Sequence, residues 1–399
     1  MLFASLAVLL LLPPFVHVAF GSSSMALGLI FASLFILILN KKYLYLNTLS
    51  SRFICYILGF AFLLFTSASY SYFSYGLSKP LFSLILFLPL FASLILAKSI
   101  AKFPFKKIYQ SLQSIVILFL SLGFISVFYT PEYFGYRLYE KPVFPFSEQS
   151  HYALALGLIS VAYALVSPLK QLFALGLIMT SLALIFPNLT LLIFAIVIFL
   201  TAIFRLPPKI FKTLLLLSPF VFIGLFLLIS QIEYFASRLA FENTKNISVL
   251  IFLQGWDFAY ENTLNTHGLG LGFQMLGSPL SALSEYSQKV YELSTHQLNF
   301  YDGSFLASKL ISEFGIFGII ALIGYLVFML KMLFIANGLY HQKDKNEEHR
   351  QKHLLLLGII FAFFIEIFLR GYGYFSSGLF LFASAFFALY TFNTHKKEN

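Results

Sequence analysis

Apolar runs of roughly twenty residues follow one another along most of this chain, and a run of that length is what one helix needs to cross a bilayer core of about 30 Å. Such windows fall at about 2–20, 22–40, 53–74, 80–97, 111–130, 151–167, 170–187, 189–204, 211–230, 311–335, 353–370 and 376–394. In lipid every backbone N–H and C=O must be satisfied within its own segment, so these runs predict helices. The fold class expected is an all-α integral membrane protein with about twelve transmembrane helices. Only 11% of the 399 residues are charged, against about 25% in soluble domains, which excludes a soluble core.

Charge placement orients the helices. With the N-terminus inside, the inner loops collect 18 of the 26 Lys and Arg, among them Lys41-Lys42, Lys106-Lys107 and Lys396-Lys397. Lys79, Arg137, Lys141, Arg238, Lys245, Lys289, Lys309 and Arg370 fall outside, together with eleven of the 16 Asp and Glu. This is the positive-inside pattern, and it predicts both termini in the cytoplasm. The net charge of +10 then reads as topology rather than affinity for nucleic acid. Met1 to Phe20 has no basic start and no small-residue cleavage pattern, so it is expected to remain as the first helix. Polyaromatic patches such as Tyr70-Ser71-Tyr72-Phe73 fit interfacial belts.

Three parts follow from these windows. Residues 1–230 hold helices 1–9, with a short outer loop at 131–150. Residues 231–304 form one large outer loop between helices 9 and 10. Residues 305–399 hold helices 10–12 and a short tail. The single Cys55 lies in an apolar run and is expected to be a buried, inert thiol, so no disulfide framework exists. No Cys/His spacing suggests zinc, and neither metal nor cofactor is expected. The uniform Leu/Ile/Phe content of 151–204 reads as lipid-facing or packing surface.

Polar chemistry concentrates on the outer side. Arg370 ends the eleventh window and is followed by Gly371-Tyr372-Gly373-Tyr374-Phe375. It is either a snorkelling anchor or, since a guanidinium fork suits phosphate, an anion ligand. Arg238 carries the same two readings. Glu148 and His151 are spaced to share one side of a helix start. Glu148 could equally serve only the helix N-terminus electrostatically. His296 or Asp302 could act as a general base toward a hydroxyl, while Asp302-Gly303-Ser304 could be an ordinary helix start. Lys309 and Glu313, four apart, are expected to pair. Glu366, within a span, faces an interior or a partner. The run Gly268-Leu269-Gly270-Leu271-Gly272 lacks the strand and helix of a dinucleotide fingerprint, and reads as a turn where backbone approaches something closely.

Taken together, these strings resemble the bacterial O-antigen polymerase family, in the wider group that also contains the O-antigen ligases. Phe146-Ser147-Glu148-Gln149-Ser150-His151 is similar to a Phe-x-Glu-Pro-Ser-His pattern that opens a span in polymerases, with Gln149 where that pattern has proline. Asn246-Ile247-Ser248-Val249-Leu250, Gln254-Gly255-Trp256 and Gly268 to Phe273 follow in order. So do Leu298-Asn299, Asp302-Gly303-Ser304-Phe305, Lys309, Glu313-Phe314-Gly315, Gly318 and Leu369 to Phe375.

The resemblance implies a metal-independent glycosyltransferase at the periplasmic face of the bacterial inner membrane. It would join oligosaccharide repeat units carried on undecaprenyl diphosphate, with a chain-length regulator in the membrane as a candidate partner. On that reading Glu148, with Asp302 or His296, positions or deprotonates the acceptor. Arg238 and Arg370 hold the diphosphate with Arg137 as a second-tier cation, Trp256, Tyr372 and Tyr374 supply sugar-stacking surfaces, and His151 belongs to the substrate-binding set. Two alternatives remain. A ligase passing polymer to lipid A–core would show a His-Asn start to the tenth span, where Asp302-Gly303-Ser304 stands instead. A flippase or transporter would show inverted repeats, and no such repeat is evident in the hydropathy.

Overall fold

The computed structural model describes the chain apart from residues 23, 45–50, 131, 137–141, 242–243, 343–345 and 399, and apart from the side chains at 51–53, 56, 221–222 and 391–398. Every apolar window carries a helix. In chain order these are α1 (Leu2–Ala19), α2 (Ala26–Leu39), α3 (Ser51–Tyr75), α4 (Lys79–Phe82), α5 (Phe87–Lys102), α6 (Phe105–Phe128), α7 (Gln149–Val166), α8 (Leu169–Ile185), α9 (Leu189–Leu200) and α10 (Pro208–Ile229). After them come α11 (Glu233–Leu239), α12 (Ile247–Asn265), α13 (Glu285–Ser294), α14 (Leu306–His341), α15 (Glu347–Phe368) and α16 (Ser377–Glu398). No strand occurs among the described residues.

Seven helical segments are long and apolar enough to cross a membrane, and an eighth joins them if the bent α10 is one span. The 48° bend falls between Pro208–Phe220 and Ile223–Ile229, just after Pro219. Four further apolar helices, Ala26–Leu39, Leu169–Ile185, Leu189–Arg205 and Ser377–Tyr390, are shorter than that. The protein is a helical membrane protein by this measure.

α7 and α15 form the centre of the bundle, each with 78% of its apolar window buried. They approach closely because small residues face each other: a Cβ on Gly358 would come within 2.5 Å of the Ala162 Cα. Small residues at a crossing let helices in lipid gain dispersion contact. α3 lies at the other extreme, with 17% of its window buried. Cys55, expected to be buried, is exposed on α3, because the apolar run that carries it has few neighbours to pack against.

The long segment 231–304 is not an open loop. It folds into α11, α12 and α13, with Asn246 Oδ1 accepting from the Ser248 N–H at the start of α12 and Ser284 Oγ capping α13. α12 packs along α14 and against α13. The glycine run then docks into a break in α14. Gly315 has φ +53° there, and the break frees N–H and C=O groups for the turn. Leu271 N–H donates to Ser312 O at 2.9 Å, Gly272 N–H to Glu313 O at 2.8 Å, and Ile316 N–H to Gly268 O at 2.8 Å. A Cβ on Gly315 would sit 2.0 Å from Gly268 O, so the close backbone approach expected of the glycine run is what the structure contains.

Candidate functional site

α15 ends just before Arg370, whose N–H still reaches Ile365 O at 3.0 Å. The Gly371 N–H donates to Ser304 O at 3.2 Å, which ties this turn to the start of α14. The guanidinium crosses to the start of α7. Arg370 Nη2 donates to Glu148 Oε2 at 2.9 Å and to Ser150 Oγ at 3.2 Å. Ser150 Oγ in turn donates to Glu148 Oε2 at 2.8 Å. The His151 ring and the Arg370 guanidinium together hold the Glu148 carboxyl far below its ordinary range, at about 2, against the opposing effect of burial. The acid is therefore an anion at any physiological pH.

A second guanidinium stands on α11. Arg238 Nη1 donates to Ser248 Oγ on α12 at 2.9 Å, and its plane lies 4.5 Å from the centre of the Tyr234 ring. Its Nε is buried without a hydrogen-bond partner. Arg238 and Arg370 line the same cavity, of about 1260 Å³, together with Glu148, Ser150, Ser248 and Ser304. Apolar residues from α8, α9, α10 and α12, among them Ile185, Ile193, Val197, Phe226, Ile229 and Phe252, make up much of the remaining lining, alongside Asn188 and Thr190. The cavity is thus amphipathic: its lining combines two cations, one carboxylate and several hydroxyls with many hydrocarbon side chains.

Behind the ion pair sit His151 and Tyr372, their rings 4.4 Å apart. His151 Nε2 is 3.9 Å from Glu148 Oε2 and its Nδ1 is 3.3 Å from Ser147 Oγ. Burial pushes the Tyr372 phenol well above its ordinary value, which keeps it a neutral donor.

The other residues singled out from sequence lie elsewhere. Asp302 faces Lys309, 3.9 Å away, at the edge of a buried charge cluster. Lys309 Nζ donates to Tyr301 O at 2.6 Å and pairs with Glu313 at 3.5 Å, as the four-residue spacing predicts. Glu313 also accepts the N–H groups of Gln274 and Leu276 at 2.9 and 3.3 Å, so this cluster pins the glycine turn to α14. Tyr374 stacks on Phe273, with ring centres 5.8 Å apart, and carries Lys309 Nζ over its face. Trp256 packs against Phe305 at 5.0 Å. His296 is exposed beyond the end of α13. None of Asp302, His296, Trp256, Tyr372, Tyr374 or His151 is part of the cavity wall, and Arg137 lies outside the described residues.

Two contributions were missed from sequence. Ser150, Ser248 and Ser304 add hydroxyls to the polar lining, and an isolated serine carries no signal of that kind. The run 151–204, read as lipid-facing or packing surface, supplies part of the cavity through α8 and α9; apolar residues look alike whether they face lipid, neighbours or a ligand.

No family model, curated protein or solved structure matches this chain.

Proposed function

We propose that this chain is an O-antigen polymerase-type glycosyltransferase, which joins oligosaccharide repeat units carried on undecaprenyl diphosphate. The sequence strings that resemble the polymerase family motivate the reading. The observation that carries it is the amphipathic cavity, which Arg238, Arg370 and Glu148 line together with many apolar side chains. A polyprenyl diphosphate donor combines the same two characters: a doubly anionic head and a long hydrocarbon chain.

In the reaction, an acceptor hydroxyl oxygen forms a bond to the anomeric carbon of the donor sugar, and the bond from that carbon to the diphosphate oxygen breaks. The diphosphate leaves with the bonding electron pair, and fixed guanidinium charge stabilises it as it develops. Glu148 orients the acceptor hydroxyl and takes its proton late, once bond formation has made that proton acidic. Its position on the cavity wall favours it over Asp302 and His296, which lie off that wall.

In the proposed topology twelve helices cross the inner membrane, both termini are cytoplasmic and α11 to α13 are periplasmic. The positive-inside distribution supports this arrangement. Lys289→Cys in a Cys55→Ser background tests it in intact cells. Labelling by a membrane-impermeant maleimide is the result expected, and labelling only after permeabilisation overturns the assignment.

Deletion of the gene, followed by separation of lipopolysaccharide by size, tests the activity. A polymerase-null strain keeps a single repeat unit on lipid A–core. Loss of every repeat unit assigns the ligase instead, and unaltered polymer rejects both.

A further inference from the structure

Glu366, on α15, stands about one turn before Arg370, as His151, on α7, stands about one turn after Glu148. The two helices are therefore joined in two layers. The outer layer is the Glu148–Arg370 ion pair. The inner layer is a small cavity of about 20 Å³, enclosed by Leu10, Phe146 and Leu158 and lined on its polar side by Glu366, His151 and Tyr372. Glu366 is 2% exposed, and no ion pair among the described residues involves it. Its Oε1 and the Tyr372 hydroxyl are buried without a hydrogen-bond partner in the protein. The fold has made room for this carboxyl: a Cβ on Gly378 would fall 1.5 Å from Glu366 Oε2, and one on Gly371 would fall 3.2 Å from Glu366 Cγ.

Buried polar groups are satisfied as a rule, by protein or by ordered water. A cavity holds one water when it offers about 10–15 Å³ and two to four polar partners. Both conditions are met here, through the unpartnered Glu366 Oε1 and Tyr372 hydroxyl.

We propose that Glu366, Tyr372 and His151 enclose one internal water, and that Glu366 is thereby a positioning residue for the Arg370 guanidinium. The water accepts from the Tyr372 hydroxyl and donates to Glu366 Oε1, beside the His151 ring. It ties α15 to α7 directly beneath the ion pair. Arg370 projects from the end of a helix into a roomy cavity, so its direction depends on how firmly that helix end is held against α7. The water site stands on the geometry alone; its consequence for anion binding rests on the proposed function.

The test has two arms, on purified protein in lipid nanodiscs. In the structural arm, density from a map fine enough to resolve ordered solvent shows a single water within hydrogen-bond distance of Glu366 Oε1 and Tyr372 Oη. A dry cavity, or a direct carboxyl–phenol contact in its place, overturns the site. The binding arm uses inorganic pyrophosphate as probe. Glu366→Leu, which removes the water's acceptor, weakens binding roughly tenfold, the scale on which outer supports of a ligand-holding group are felt. Glu366→Gln, which keeps an oxygen at the same place, restores most of the loss. Equal binding by the wild type and the Glu366→Leu variant, or equal loss in both variants, refutes the positioning role. A wild-type protein that ignores pyrophosphate yet shows the water rejects the proposed function and leaves the water site standing.

Discussion

Arg370 Nη2 donates to Glu148 Oε2 at 2.9 Å although 222 positions of chain separate them. One residue closes the α15 end and the other opens α7, so the contact locks together the two most buried spans of the bundle at the edge of the cavity.

The pair should be insensitive to pH over the whole working range. Glu148 is held at about 2 in the folded protein, first by His151 and then by Arg370, against an unfolded value near 4.5. A depressed acid contributes stability that is fully present above about 4.5 and is lost as pH falls toward 2. The destabilisation caused by Glu148→Gln, followed by thermal unfolding, should therefore be constant from about pH 5 to 8. A destabilisation that grows across that window contradicts this. The effect itself is small, about 1 kcal/mol or less, since the Glu148 side chain is 47% exposed and water screens the charge.

Removing either cavity guanidinium should cripple substrate use. A charge-assisted hydrogen bond contributes about 1.5–3 kcal/mol, so Arg238→Ala and Arg370→Ala should each reduce turnover by roughly ten- to a hundredfold at normal membrane levels. Arg370→Lys should rescue only weakly, because an ammonium lacks the planar fork that suits a phosphate group. Polymer length in a deletion strain carrying each variant is the readout. Full-length polymer from both alanine variants would falsify the anion site.

The glycine turn should tolerate no side chain at its contact with α14. Gly315→Ala places a Cβ 2.0 Å from Gly268 O at a φ of +53°, and strain of this kind costs on the order of 1–3 kcal/mol. Limited proteolysis should then cut within 266–284, where the wild type resists. Gly324→Ala on the same helix, with nothing within 4 Å of its Cβ, should behave as wild type or better.

Lys309 and Glu313 should be far worse to break singly than together. Their side chains are 1% and 0% exposed, and an uncompensated buried charge costs about 3–5 kcal/mol. Lys309→Met and Glu313→Gln should each destabilise on that scale. The double variant should lose clearly less than the two single losses added, as a thermal-unfolding double-mutant cycle would measure. Strict additivity argues against the pairing.

Local, periodic features were legible in the residues alone. Each apolar window became a helix, because in lipid the backbone has no other way to satisfy its hydrogen bonds. The Lys309–Glu313 pair was legible for a similar reason, since both ends lie one turn apart on one helix. The glycine run announced a close approach, though not its partner at Gly315.

The cavity came from tertiary packing. Arg238, Glu148 and Arg370 come from α11, the start of α7 and the end of α15, and nothing in their spacing records that those ends converge. Asp302, which in the sequence could be a general base or part of a helix start, faces Lys309. The α9 and α10 residues that wall the cavity read the same as any lipid-facing run, because hydrocarbon contact leaves one signature whatever supplies the hydrocarbon. Long-range pairing is decided by how helices cross, and crossing is set by shape at positions such as Gly358 and Ala162, which composition does not reveal.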